Sequence, residues 1–264
     1  MELPLVWLVA IGLAVPLLGT AIGSAAPLLM RQEPGPTLTK SLLGFASGVM
    51  IAAAVWSLLI PAMEMSDAAG TPGWIPASIG FLLGIGFLLI MDSVMPHWHL
   101  GADSAEVDSE KLSRSSLLLL SMALHNLPEG MAVGVLFAGV LSGDAAISLA
   151  GAFALALGIA LQNIPESAVI SAPLRAAGLS RARSFGLAFA AGVVEPIGAL
   201  VAIGIASIAT AVLPYFLAFA AGAMIYVVVE DLIPETQSGE HSNAGVIGAA
   251  LGFVAMMILN SLFG

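Results

Sequence analysis

His125-Asn126-Leu127-Pro128-Glu129-Gly130 sits at the centre of an apolar run, and Gln162-Asn163-Ile164-Pro165-Glu166-Ser167 repeats its pattern in the next one. Each stretch sets an imidazole or amide and a carboxylate four residues apart, one helical turn, on a single face. A charged side chain at the centre of a bilayer costs roughly 3 kcal/mol unless it faces a partner, a cavity or an ion. Each stretch also carries a proline, which removes a backbone hydrogen bond. The expectation is a broken helix that frees the carbonyls of Leu124 and Leu161 toward a cavity. Two such helices, each with a donor pair beside a proline, read as the two halves of a metal site inside a membrane.

The rest of the chain agrees with that setting. Of 264 residues 59% are apolar and only 9% charged, with a mean hydropathy of +1.04. A soluble protein of this size needs far more charge to cover its surface. The fold class is therefore an all-α integral membrane protein. Apolar stretches long enough to span recur at roughly 4–29, 38–62, 73–95, 115–139, 145–171, 184–209, 212–234 and 243–263. Eight transmembrane helices fill the chain as one transporter domain over 1–264 and leave no room for a soluble one. The first span has no basic flank and reads as a retained helix.

Orientation follows from the basic residues. Arg31 and Lys40, Lys111 and Arg114, and Arg175, Arg181 and Arg183 all fall between odd and even spans on one side. The positive-inside rule makes that side cytoplasmic, and both termini then face outward. The net charge of −10 argues against nucleic acid as a partner. With no cysteine, a metal must bind through nitrogen and oxygen, methionine being the one sulfur available. Such a set suits zinc, cadmium, iron or manganese.

Phe45-Ala46-Ser47-Gly48-Val49-Met50-Ile51 matches Phe219-Ala220-Ala221-Gly222-Ala223-Met224-Ile225, with Leu59-Ile60-Pro61 answering Leu232-Ile233-Pro234. The two segments run in opposite directions, so the expected architecture is 3+2+3. Spans one to three form an inverted repeat of six to eight around a central pair. Pairs such as Gly44/Gly48 and Gly80/Gly84 offer close helix packing, a weak signal in a chain with 29 glycines.

His125, Glu129, Gln162 and Glu166 make the first constellation of ligands. Asn126 and Asn163 project about 100° around their helices from it, where they can serve a neighbouring site or act as interhelical amide glue. Glu195, beside Pro196 in span six, is a third carboxylate at mid-membrane. A divalent cation would neutralise two of these acids, and protons would compete for the same oxygens when it leaves. A transport path continues through Asp92, His97 and His99 at the end of span three and through Glu230 and Asp231 in span seven. Solvated helix ends are the competing reading for those residues. Met50 and Met224 read as packing residues.

HNLPEG followed by QNIPES, with Glu195-Pro196 in the next span, resembles the ZIP family of metal transporters (zinc- and iron-regulated transporter-like proteins), most of all its bacterial gufA-like branch. The resemblance implies an eight-helix bundle with outward termini and a binuclear metal centre between helices four and five. His125, Glu129, Gln162 and Glu166 would form the principal site. Asn126, Asn163 and Glu195 would form the second, sharing Glu129 and Glu166 as bridges, and Met50 falls where the family often places a methionine. Metal uptake across the inner (plasma) membrane and a homodimer are also implied. Ser167 departs from the usual glycine, Gln162 from the histidine of many relatives, and Asn163 brings no charge.

Two rival functions share these residues. An intramembrane metal-dependent hydrolase would use the metal to activate water. It lacks support from the single histidine within the spans and the absence of HExxH. A metal exporter would use the same ligands in the other direction.

Overall fold

The structure, a computed structural model, describes residues 4–29, 34–94, 114–176, 178–208 and 210–263. His97, His99, Arg31, Lys111 and the acidic run Asp103, Glu106, Asp108 and Glu110 lie outside the described residues. Among the described residues eight helices are long and apolar enough to cross a bilayer. They are α1 (Leu5–Ser24), α2 (Pro36–Ala68), α3 (Trp74–Val94), α4 (Arg114–Ser142), α5 (Leu149–Ala176), α6 (Arg181–Ala206), α7 (Leu213–Gln237) and α8 (Ala244–Phe263). In the apolar windows of α2, α4 and α5 67% of residues are buried, against 17% in α8, so those three helices form the centre.

The helices pack most heavily as α2 with α8, α3 with α7, α1 with α5 and α4 with α6. Exchanging α1, α2 and α3 for α6, α7 and α8, and α4 for α5, maps this set of pairs onto itself. Glycine makes the pairs close. A Cβ at Gly48 would meet the backbone of Ala249 in α8, and one at Gly84 the backbone of Phe219 in α7. Without a hydrophobic drive between helices in lipid, such backbone approach supplies the dispersion contacts that hold them. Between the pairs lies an apolar core that includes Met50, Leu58, Phe137, Leu155, Leu217 and Met224.

The backbone loosens in two matching places. Ala54–Leu59 in α2 and Val228–Leu232 in α7 are π turns, each followed at once by Ile-Pro, Ile60-Pro61 and Ile233-Pro234. The wide turn brings each proline to the first positions of a new α segment, where its missing N–H is not needed. The motif prolines behave otherwise. Pro128 and Pro165 sit inside α4 and α5, which run through them as continuous α-helix. The expected breaks are absent there: helix continues on both sides of each, although a proline has no N–H to give to the carbonyl of Leu124 or Leu161. A third break falls in α6, where α-helix stops at Gly192 and resumes at Val194. A cavity of about 220 Å³ opens in the C-terminal half of α2, lined by Trp56, Ser57, Glu64, Leu136, Ser148 and Asn260 among others.

Candidate metal-transport site

The motif glycine explains how the carboxylates meet. A Cβ at Gly130 would strike the backbone of Glu195, so its absence lets α4 touch α6 at the residue that carries the third acid. The same device works between α1 and α5, where Gly23 lies against the backbone of Ile164 and Asn163. Glu195 stands in the first turn of the second half of α6, where the helix dipole favours an anion. Glu129, Glu166 and Glu195 are all buried.

The polar side chains make a series of contacts between the helices. Gln162 donates from Nε2 to Glu129 Oε1 at 2.7 Å, linking α5 to α4. Glu129 lies within electrostatic reach of both Glu166 and Glu195, and Glu166 of His125 and Asp231. His125 Nε2 is 3.0 Å from Asp231 Oδ2 of α7. In α3, Asp92 accepts a 2.8 Å hydrogen bond from Tyr226 of α7. At the other end Glu195 Oε1 accepts from Asn163 Nδ2 at 2.8 Å and from Thr20 Oγ1 at 2.9 Å. Asn126 Nδ2 makes a long 3.4 Å contact with the carbonyl of Ala191 in α6.

Four oxygens in this series are buried without a hydrogen-bond partner among the described residues besides those of Asn163 and Ser167: Glu129 Oε2, Gln162 Oε1, Glu166 Oε2 and Glu195 Oε2. No Lys or Arg pairs with the three glutamates among the described residues, whose recorded ion pair at the site is His125–Asp231. Buried polar atoms in folded proteins are almost always satisfied, so four bare oxygens on neighbouring side chains fit a cation as the partner. The donors are strung along the series: among the described residues no three or more His, Asp or Glu side chains converge on one point.

Sequence reasoning grouped His125 and Glu129 with Gln162 and Glu166, and the structure joins Gln162 to Glu129 across the two helices. The same reasoning set Asp231 on a more distant path, whereas α7 brings Asp231 directly onto His125. Glu230 is exposed, and Met50 is fully buried in the core. Thr20 was missed. Its one available signal was a hydroxyl on the face of α1 that also carries Gly12, Gly19 and Gly23, the glycines that approach other helices.

An eight-helix membrane bundle with a buried run of carboxylates at its centre defines a polytopic ion transporter. Residues 100–260 match the family model described as ZIP Zinc transporter. The chain is 39% identical to the zinc transporter ZIPB of Bordetella bronchiseptica over 251 residues, 93% of this chain and 78% of the relative. It is 38% identical to the zinc transporter GufA of Myxococcus xanthus, over 96% of this chain and 99% of the relative. The human zinc transporter ZIP11 is 32% identical over 91% of this chain and 93% of its own length. The chain belongs to the ZIP family of zinc transporters, in its gufA-like branch, and is a transporter, not an enzyme.

Proposed function

We propose that this chain carries zinc across the inner membrane into the cytoplasm as a single transport domain, with both termini outside, through an ion site between α4 and α5. Glu129, Glu166, Gln162 and His125 supply the principal ligands, with Asn163 and Glu195 beside them. Asn126 ties α4 to α6. Asp231 takes over His125 as the ion departs, and Asp92 with Tyr226 extends the route. The observation that carries this reading is the set of buried oxygens of Glu129, Gln162 and Glu166 that lack any partner among the described residues. One imidazole, one amide and carboxylates form a borderline donor set, so cadmium, iron(II) and manganese are the expected secondary substrates. The outward apolar residues of α3 and α8, Leu82, Leu83, Ile247 and Leu251 among them, face lipid or a second copy in a homodimer.

Metal influx into sealed proteoliposomes tests this proposal. Zinc should enter fastest, with cadmium, iron(II) and manganese following. Properly inserted protein that moves no divalent ion inward would overturn it.

A further inference from the structure

The Glu195 end of the series contains an arrangement that neither motif accounts for. Asn163 has two N–H protons, and three acceptors take them: Glu195 Oε1 at 2.8 Å, Thr20 Oγ1 at 3.2 Å and the carbonyl of Pro16 at 3.3 Å. One proton goes to the carboxylate and the other is shared between the two acceptors of α1. Thr20 has a single proton. Its bond to Glu195 Oε1 at 2.9 Å is shorter than its 3.5 Å contact with the carbonyl of Pro16, so the proton goes to the carboxylate. The result is a fixed polarity. The amide nitrogen of Asn163 is used up on α1 and Glu195, and its Oδ1 is left buried with no partner among the described residues, as is Glu195 Oε2.

The chain makes room for this contact. A Cβ at Gly192 would collide with the Thr20 side chain, so the glycine that ends the first half of α6 admits the threonine beside Glu195. Thr20 is itself fully buried.

We propose that Thr20 is a positioning residue for an ion held at Glu195: by accepting from Asn163 and donating to Glu195 it presents one neutral and one anionic oxygen, Asn163 Oδ1 and Glu195 Oε2, to the metal. The inference rests on the intramembrane site of the preceding reading and adds α1 to the helices that shape it. An outer partner of this kind orients a ligand without touching the ion, and losing one commonly costs ten- to a hundredfold in metal affinity.

Zinc titration of the purified full chain tests it, comparing the wild type with Thr20→Val, Thr20→Ser and Glu195→Gln. The component of the isotherm lost in Glu195→Gln identifies the ion concerned. Thr20→Val keeps the side chain's shape and removes the hydroxyl, and should weaken that component about tenfold or more. Thr20→Ser keeps the hydroxyl and should stay within about twofold. A merely structural role would not distinguish an ion bound through Glu195 from one bound through Glu129 and Gln162. The proposal is overturned if Thr20→Val superposes on the wild type, if Thr20→Ser weakens binding as much as Thr20→Val, or if no component depends on Glu195. Should Thr20→Val fail to fold, Thr20→Ala replaces it with the same expectations. Failure of the site itself looks different: the Glu129→Gln/Glu166→Gln chain would then bind zinc as the wild type does.

Discussion

Two pairs of helices, α4 with α5 and α2 with α7, treat their prolines in opposite ways. In α4 and α5 the prolines lie inside continuous helix, and the chemistry is crowded around them: His125, Glu129, Gln162 and Glu166. In α2 and α7 the prolines follow π turns, the one in α7 carrying Glu230 and Asp231, and the buried residues ahead of the turns include several alanines with Met50 and Met224. A proline therefore does not by itself locate the flexible place in a membrane helix. Gly130 on Glu195 and Gly23 on Ile164 hold the motif helices close to α6 and α1 within a turn of the proline, and Gly73 on Met63 and Gly245 on Thr236 do the same beside Pro61 and Pro234. Where a wide turn can form, the helix has a joint at which small changes in path cost little.

The largest effect expected from this division is on transport. Glu129→Gln together with Glu166→Gln should cut zinc influx into proteoliposomes by at least about a hundredfold, since the cation then meets neutral amides in hydrocarbon. Met50→Leu with Met224→Leu should keep influx within about threefold, as volume-conserving core swaps do. If the methionine pair proves as damaging as the carboxylate pair, the core methionines of α2 and α7 handle the ion as well.

Next in size is the clamp. Gly130→Val forces α4 off the backbone of Glu195 and should destabilise the bundle by about 3 kcal/mol or more, overpacking being costly where backbone is the obstacle. Gly204→Val, where a Cβ meets open space, should leave the thermal midpoint in detergent nearly unchanged. Equal losses from the two would remove the clamp from the explanation.

A third test concerns protons. Metal and proton compete for the same carboxylate oxygens, so zinc affinity should fall as pH falls, by about tenfold or more between pH 8 and 5.5. The mirror-image experiment is proton release on zinc binding, read in a weakly buffered titration. Flat affinity across that range would mean that the ion does not replace protons on the glutamates.

The smallest effect belongs to the joints. Pro61→Ala lets the π turn of α2 tighten toward α-helix and should slow influx about two- to fivefold while zinc affinity holds within about twofold, because Ala54–Leu59 carries none of the proposed ligands, whereas the α7 turn holds Asp231 against His125. Loss of affinity instead of rate would make α2 part of the ion site.

The eight spans and the buried acids Glu129, Glu166 and Glu195 were legible in the sequence because lipid demands long apolar runs and makes every buried acid conspicuous. Span ends were less so: α2 extends to Ala68 and α4 reaches Ser142, past the apolar runs, since helix continues into polar residues that hydropathy discards. The approach of Asp231 to His125 depends on which helices are neighbours, a property that spacing along one helix cannot encode. Thr20 is a single hydroxyl in an apolar helix, and only the fold puts Glu195 and Asn163 around it. The π turns leave no trace in hydrophobic period beyond the Ile-Pro that follows them.

The cavity at the C-terminal half of α2 has a practical side. Trp56 lies within the π turn, borders that cavity, and sets its ring edge-on to Phe253 of α8 with centroids 5.2 Å apart. Of the other tryptophans in the described residues, Trp7 and Trp74 both point outward. The loosened turn therefore carries its own chromophore, seated half in an aromatic contact and half against a fillable space. A shift in its emission maximum would follow wetting of that space and the movement of α2 in real time, without a label attached anywhere on the chain.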